Sequence, residues 1–186
     1  MVTLREVAGD REELAALQRV MESDEDYFLR VTGHPPGPAE AQSTLMFVPE
    51  GASPDDKAPF GVWADDELVG LLDLLLRYPD DETIYIGLLL IDRAHQRQGV
   101  GTAAIQALER DLLPRWPWAR RLRLSVVRAN DQTLGFWRRL GFTETGEVRP
   151  WRHDKLESES ILMDKVIPAR RGGGPGPAGG RRGGAR

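Results

Sequence analysis

The chain has 186 residues and a formal charge of −4, with 40% apolar and 29% charged residues, the balance of a single globular domain with a sizeable core. There is no cysteine, which excludes a disulfide framework, a thiolate metal site and covalent cysteine catalysis. No charge-poor run approaches the roughly eighteen residues of a membrane span, and the start Met-Val-Thr-Leu-Arg-Glu lacks the basic segment and apolar core of a signal peptide; no membrane association and a cytoplasmic location are expected.

Residues 2–7 read as a first strand. Residues 11–20 place Leu14, Leu17 and Val20 on one side of an amphipathic helix. Ser23 suits the cap of a second helical piece, residues 24–31, whose first turn is acidic as the helix dipole prefers. Residues 33–38 are a break and residues 39–47 a third helical piece, while the three prolines and a glycine of residues 49–59 predict a loop. Two strands follow, residues 60–64 and 68–77, joined by a hairpin-like turn at Asp65-Asp66-Glu67.

The densest information lies at residues 84–102. The apolar run Ile84-Tyr85-Ile86-Gly87-Leu88-Leu89-Leu90-Ile91 ends in the polar turn Asp92 to Gln98; Gly99 and Gly101 follow, and residues 102–111 read as a helix. Strand, glycine turn and helix together present backbone N–H groups and the positive end of a helix dipole to a phosphate. A dinucleotide fingerprint would need a third glycine, or Ala104 in its place, and a second βαβ unit, which does not follow; a Walker loop would need Gly-Lys-Ser/Thr, which is absent. A plain strand-to-helix turn relieved by glycine stays open on this segment alone.

Residues 121–127 alternate Arg, Leu, Arg, Leu, Ser, Val, Val, the pattern of a half-buried strand. Asn130 suits an N-cap, Gly141 a left-handed helix end, and Phe136, Trp137 and Leu140 share one helix face. Residues 143–148 and 158–166 predict a closing antiparallel pair. The element order β-α-α-β-β-β-α-β-α-β-β describes an α/β (α+β) fold.

The loop Gln96-Arg97-Gln98-Gly99-Val100-Gly101, followed by Asn130, Thr133, Phe136-Trp137 and Leu140-Gly141-Phe142, resembles the GNAT superfamily of acetyl-CoA-dependent N-acetyltransferases, best over residues 60–145. The resemblance implies a mixed twisted central sheet of about six to seven strands with helices on both faces, and acetyl-CoA as co-substrate with no metal. It implies that amides from Arg97 through Gln98, Gly99, Val100 and Gly101 to Thr102 hold the pyrophosphate. Leu89, Leu90 and Ile91 would offer strand backbone to the pantetheine arm and polarise the thioester carbonyl. Asn130, with Phe136 and Trp137, would border that arm; Trp137 packs either on it or in the core.

Two departures from the family bear on catalysis. The position where many members place a proton-donating tyrosine holds Trp137, whose indole is a donor that does not titrate. The position of the glutamate base on the central strand holds Tyr85. Catalytic candidates are therefore Tyr85, Asn130 and His153, the last on what reads as a polar late loop; Asp26, Tyr27, Tyr85 and Trp151 are candidates for the acceptor.

The implied activity is acetyl transfer to a primary amine, a small molecule by expectation, through direct attack in a ternary complex. A non-catalytic acyl-CoA-binding module remains open because of the two departures, and so does assembly as a homodimer. The expected domain is 1–167. The remainder, 168–186, is rich in Gly, Pro and Arg and is expected to be disordered. Removing the +5 of its arginines from the overall −4 leaves about −9 on the body, which argues against nucleic acid as the main ligand; RNA association through the tail is the remaining alternative.

Overall fold

Seven strands form one mixed sheet in the order β1-β2-β3-β4-β5-β7-β6 in the computed structural model, which describes residues 1–168. The expected tail thus lies, but for Pro168, outside the described residues. In chain order the elements are β1 (Val2–Glu6), α1 (Arg11–Ser23), α2 (Glu25–Val31), α3 (Glu40–Met46), β2 (Lys57–Ala64), β3 (Glu67–Leu76), β4 (Thr83–Ile91), α4 (Val100–Ala107), β5 (Arg121–Val127), α5 (Leu134–Arg139), β6 (Thr143–His153) and β7 (Leu156–Val166). All pairings are antiparallel except β4 with β5. The expected architecture, with helices on both faces, is what the chain adopts.

The sheet separates two cores. On one face Leu72, Leu74, Ile84, Ile86, Leu122 and Leu124 pack against Ala104, Ile105 and Leu108 of α4 and the π turn that extends it. On the other, Leu71 and Leu90 meet Leu17, Val20 and Met21 of α1, Phe28 of α2 and Ala41 of α3. Each fully buried aliphatic side chain contributes about 1.5–3 kcal/mol.

A bulge in β4 decides which of its residues serve which core. Asp73 pairs with Leu88 and Leu74 with Ile86, so Gly87 is the extra residue. Before it, Ile84 and Ile86 face α4; after it Leu89 and Ile91 do, while Leu88 and Leu90 turn to the α1 side. A run of apolar residues is thereby shared between two cores by one glycine.

Several local expectations are corrected. Asp24, not Ser23, caps α2, accepting from the Tyr27 amide at 3.3 Å, while Ser23 Oγ donates back to the Val20 carbonyl. The segment read as loop up to residue 59 already belongs to β2 from Lys57 onward. Pro59 is tolerated there because its carbonyl accepts from the Val7 amide, so its missing N–H points to the side where β1 has ended. The closing hairpin is also longer than expected: β6 runs through Pro150 to His153, since β6 is the edge strand and an edge proline sacrifices no ladder bond. His153 therefore ends a strand and does not sit on a loop.

Candidate functional site

The site begins where two strands part. Parallel pairing of β4 with β5 runs from Thr83↔Arg121 to Ile86↔Leu124 and stops, while β5 stays paired with β7 to Val127↔Ser160. Residues 87–91 of β4 thus diverge from 125–127 of β5 and leave a wedge-shaped gap. The Asp92 amide donates to the Val69 carbonyl at 2.8 Å, which makes Gly70↔Ile91 a non-hydrogen-bonded pair. The amide and carbonyl of Ile91, and by the two-residue alternation those of Leu89, accordingly point away from β3 into the gap. The Ile91 carbonyl is taken by Gln96 Nε2 at 2.9 Å; the Leu89 amide lies nearer the floor. Leu90 is the exception among the three predicted strand residues. Its carbonyl faces Gly70 of β3 and its side chain is buried against α1, so it offers the gap nothing.

The phosphate-type loop closes one end of this wedge. Two residues adopt left-handed backbone, Arg97 (φ 58°) and Gly99 (φ 83°), and Gly99 is the N-cap of α4. Its carbonyl accepts from the Ala103 amide at 2.9 Å, leaving the amides of Val100, Gly101 and Thr102 without intrahelical acceptors. A Cβ on Gly99 would meet no atom within 4 Å, whereas one on Gly101 would lie 3.4 Å from Phe136 Cζ. The first glycine is thus needed for its backbone angle, while a Cβ on the second would make only ordinary contact with the Phe136 ring.

The loop is anchored from behind through Asp24 and Arg93, which the sequence did not single out. Gln96 Nε2 also donates to Asp24 Oδ2 at 2.7 Å, and the Arg93 guanidinium reaches Asp24 Oδ1 at 3.2 Å and Asp26 Oδ2 at 2.8 Å. The α1–α2 junction is tied by these contacts to the start of the loop. Asp26, a candidate for the acceptor, is thus paired with a cation of this chain. Gln98 Nε2 bonds the Ala94 carbonyl at 2.6 Å and braces the same turn.

Tyr85 sits at the floor of the split. Its hydroxyl donates to Ser125 Oγ at 2.7 Å, bridging the last paired rows, and its ring stands edge-on to Tyr78. Burial raises the phenol above its ordinary range, so it keeps its proton at neutral pH and is no base. Tyr27, partly buried beside Phe28, is pushed up to about 12 by burial and then by Asp24.

Four further candidates take definite places. Asn130 is buried but caps nothing: Arg128–Thr133 is a 3-10 segment and α5 starts at Leu134. Its Oδ1 instead accepts from Arg30 Nε at 3.3 Å, tying α2 to the end of β5. Trp137 is 8% exposed and meets Phe136 and Phe142 edge-on; it belongs to the core and gives pantetheine no face. Trp151 donates its indole N–H to the Val31 carbonyl at 2.9 Å, holding β6 against the end of α2. His153 lies on β6, which β7 separates from β5, a lateral distance of about 10 Å.

One buried charge went unpredicted. Asp73, on β3 opposite the bulge, is 5% exposed; its Oδ2 accepts from Lys57 Nζ at 2.7 Å and its Oδ1 has no partner among the described residues. Burial raises its carboxyl above the usual range against the pull of Lys57. An acid inside Leu71-Leu72-Asp73-Leu74-Leu75 was the signal; Lys57, sixteen positions earlier, was invisible as its partner. No helix among the described residues is long and apolar enough to cross a membrane.

The profile of the acetyltransferase (GNAT) family matches residues 17–142. Among solved structures, an acetyltransferase from Thermus thermophilus is 24% identical, with 89% of this chain and 97% of that one covered at a TM-score of 0.65. A putative phosphinothricin N-acetyltransferase is 18% identical over 90% and 99%, at 0.66, and an acetyltransferase from Bacillus subtilis in complex with CoA is 13% identical over 90% and 100%, at 0.57. At these identities the likeness is one of fold. No curated protein matches the chain by sequence.

Proposed function

Because the chain belongs to the acetyltransferase (GNAT) family and is an acyltransferase using acetyl-CoA, we propose that its acceptor is the primary amine of a small molecule, attacked directly within a ternary complex. The observation that carries this reading is the wedge between β4 and β5 with the free amides of α4 at its end. It offers an extended slot for the pantetheine arm and an anion cradle for the pyrophosphate in one line.

In the proposed reaction the amine lone pair attacks the thioester carbonyl carbon. The C=O becomes an oxyanion, held by the Leu89 amide aimed into the gap; such a preorganised donor is worth about 2.7–4 kcal/mol. Collapse breaks the C–S bond and releases CoA as thiolate, which then takes a proton. The amine must first lose one, at about 4 kcal/mol for a group of pKa near 10 at pH 7. The Tyr85–Ser125 hydroxyl pair at the floor, with water, is the proposed path for these protons, because Trp137 is sequestered in the core. The acceptor is proposed to enter between the α1–α2 junction and the late hairpin, beside Tyr27 and Trp151.

The test is thiol release from acetyl-CoA over a panel of amines, amino acids, polyamines, aminoglycosides and peptide N-termini, with the acetylated product identified by mass. Release with a small amine supports the reading. Tight CoA binding with no release on any acceptor would instead make this an acyl-CoA-binding module.

A further inference from the structure

The turn of the β6–β7 hairpin meets the segment after α2, away from the acyl-transfer wedge, and brings together His34, His153 and Asp154. One ligand atom from each lies within 4.8 Å of the others. We propose that these three side chains form a binding site for a divalent transition cation of the zinc class. The proposal is independent of acyl transfer.

The contacts of the His34 ring carry the argument. Its Nδ1 lies 3.0 Å from the Pro35 carbonyl oxygen, which can only accept, so Nδ1 bears the ring proton. In the neutral imidazole Nε2 is then a bare lone pair, yet it faces Asp154 Oδ2 at 3.4 Å, a second acceptor. A cation shared between these two acceptors, a proton or a metal ion, satisfies both, and only a metal ion can at the same time take up the nitrogen of a second imidazole. A carbonyl on the far nitrogen of a histidine is also the arrangement that orients metal-bound imidazoles and fixes their tautomer.

His153 supplies an independent observation. Its Nδ1 is buried without a hydrogen-bond partner among the described residues and lies 4.0 Å from the same Asp154 oxygen, while its ring stands 5.2 Å from that of His34. The unsatisfied nitrogen and the His34 lone pair thus converge on one carboxylate. Two neutral imidazoles and one carboxylate are a donor set that zinc accepts, with bonds of about 2.0–2.2 Å and a fourth position left to water; a tetrahedron of that size requires the ligand atoms to close by roughly an ångström. His34 and Asp154 also line an open cleft of about 600 Å³ with Thr32, Gly33, Lys155 and Leu156, which leaves room for that water.

The chain distances explain why the site escapes notice in the sequence. His34 and Asp154 are far apart along the chain, and the absence of cysteine suggests no metal at all. A bound ion would clasp the hairpin to the start of the α2–α3 segment, beside the existing bond from Trp151 to the Val31 carbonyl.

The experiment is calorimetric titration of Zn2+ into the full, tag-free, chelator-stripped chain, compared with His34→Ala, His153→Ala and Asp154→Asn, each checked for native circular dichroism. Co2+ absorption serves as a second readout. Saturable 1:1 binding is expected, weakened at least 100-fold in each variant, with intense tetrahedral Co2+ bands lost in step and a Zn2+-dependent rise in Tm absent from the variants. No saturable binding by the wild-type chain, or binding unaffected by the three substitutions, would overturn the proposal and leave His34 and Asp154 as a proton-mediated pair.

Discussion

Replacing Gly99 separates backbone geometry from simple crowding, because the space where its side chain would lie is open: a Cβ meets nothing within 4 Å. The residue sits at φ 83°, where an L-residue costs about 1–2 kcal/mol and a β-branched one more. In a domain of this size each kcal/mol shifts Tm by roughly 2–4 °C, so Gly99→Ala is expected to lower Tm by about 2–8 °C if the turn keeps its shape. If the turn relaxes instead, the amides of Val100 and Gly101 lose their aim. Each N–H bond to a charged phosphate is worth about 1.5–3 kcal/mol, so losing one weakens CoA about 10- to 150-fold. Gly99→Val should do both. Gly101→Ala is the control: its φ is ordinary and its Cβ would touch only the Phe136 ring edge and Ile91, so Tm should hold or rise. Scanning calorimetry and CoA titration measure the two effects. A Gly99→Val protein with unchanged Tm and unchanged CoA affinity would refute the reasoning about this turn.

Lys57→Met strands Asp73 as an unpaired buried carboxylate and should destabilise the fold by about 3–5 kcal/mol in urea unfolding; a loss under about 1 kcal/mol would mean the pair is not dry. The raised Tyr27 hydroxyl predicts an alkaline effect. With a folded value of about 12 against about 10 unfolded, the native state holds the proton longer. Its contribution is full below about pH 10 and fades as pH rises through about 12, by up to about 3 kcal/mol, and Tyr27→Phe should flatten that part of the pH–stability curve. Tyr85→Phe is expected to cut kcat about 100-fold with KM nearly constant, whereas an equal rise in KM would assign Tyr85 to binding alone. Trp137→Ala should cost about 3–5 kcal/mol of stability, while Trp137→Phe should retain turnover; a selective fall in kcat for the Phe variant would show the indole acting on the leaving thiolate.

The parts of the fold visible in the sequence were those with short-range causes. Alternation at Arg121–Val127 and the Gly99/Gly101 turn after an apolar run are local patterns, and both occupy the expected elements. The prolines misled at Pro59, where the cost of a missing amide depends on whether a neighbouring strand is present. The bulge at Gly87 was not anticipated, and its effect of turning Leu90 away from Leu89 and Ile91 needed the register with β3. The site residues fared less well because their partners are distant. Asp26 is matched by Arg93, Asn130 by Arg30, and Trp151 by the Val31 carbonyl, and none of these pairings leaves a mark in local spacing.

The central claim is that acetyl-CoA lies in the β4–β5 wedge with its pyrophosphate on the start of α4, and a crystal structure of the CoA complex tests it most directly. The account predicts pyrophosphate oxygens about 2.7–3.1 Å from the amides of Val100, Gly101 and Thr102, with the pantetheine arm running between residues 87–91 and 125–127 toward the Leu89 amide. CoA bound elsewhere, or a pyrophosphate held by side chains with those amides left free, would contradict it.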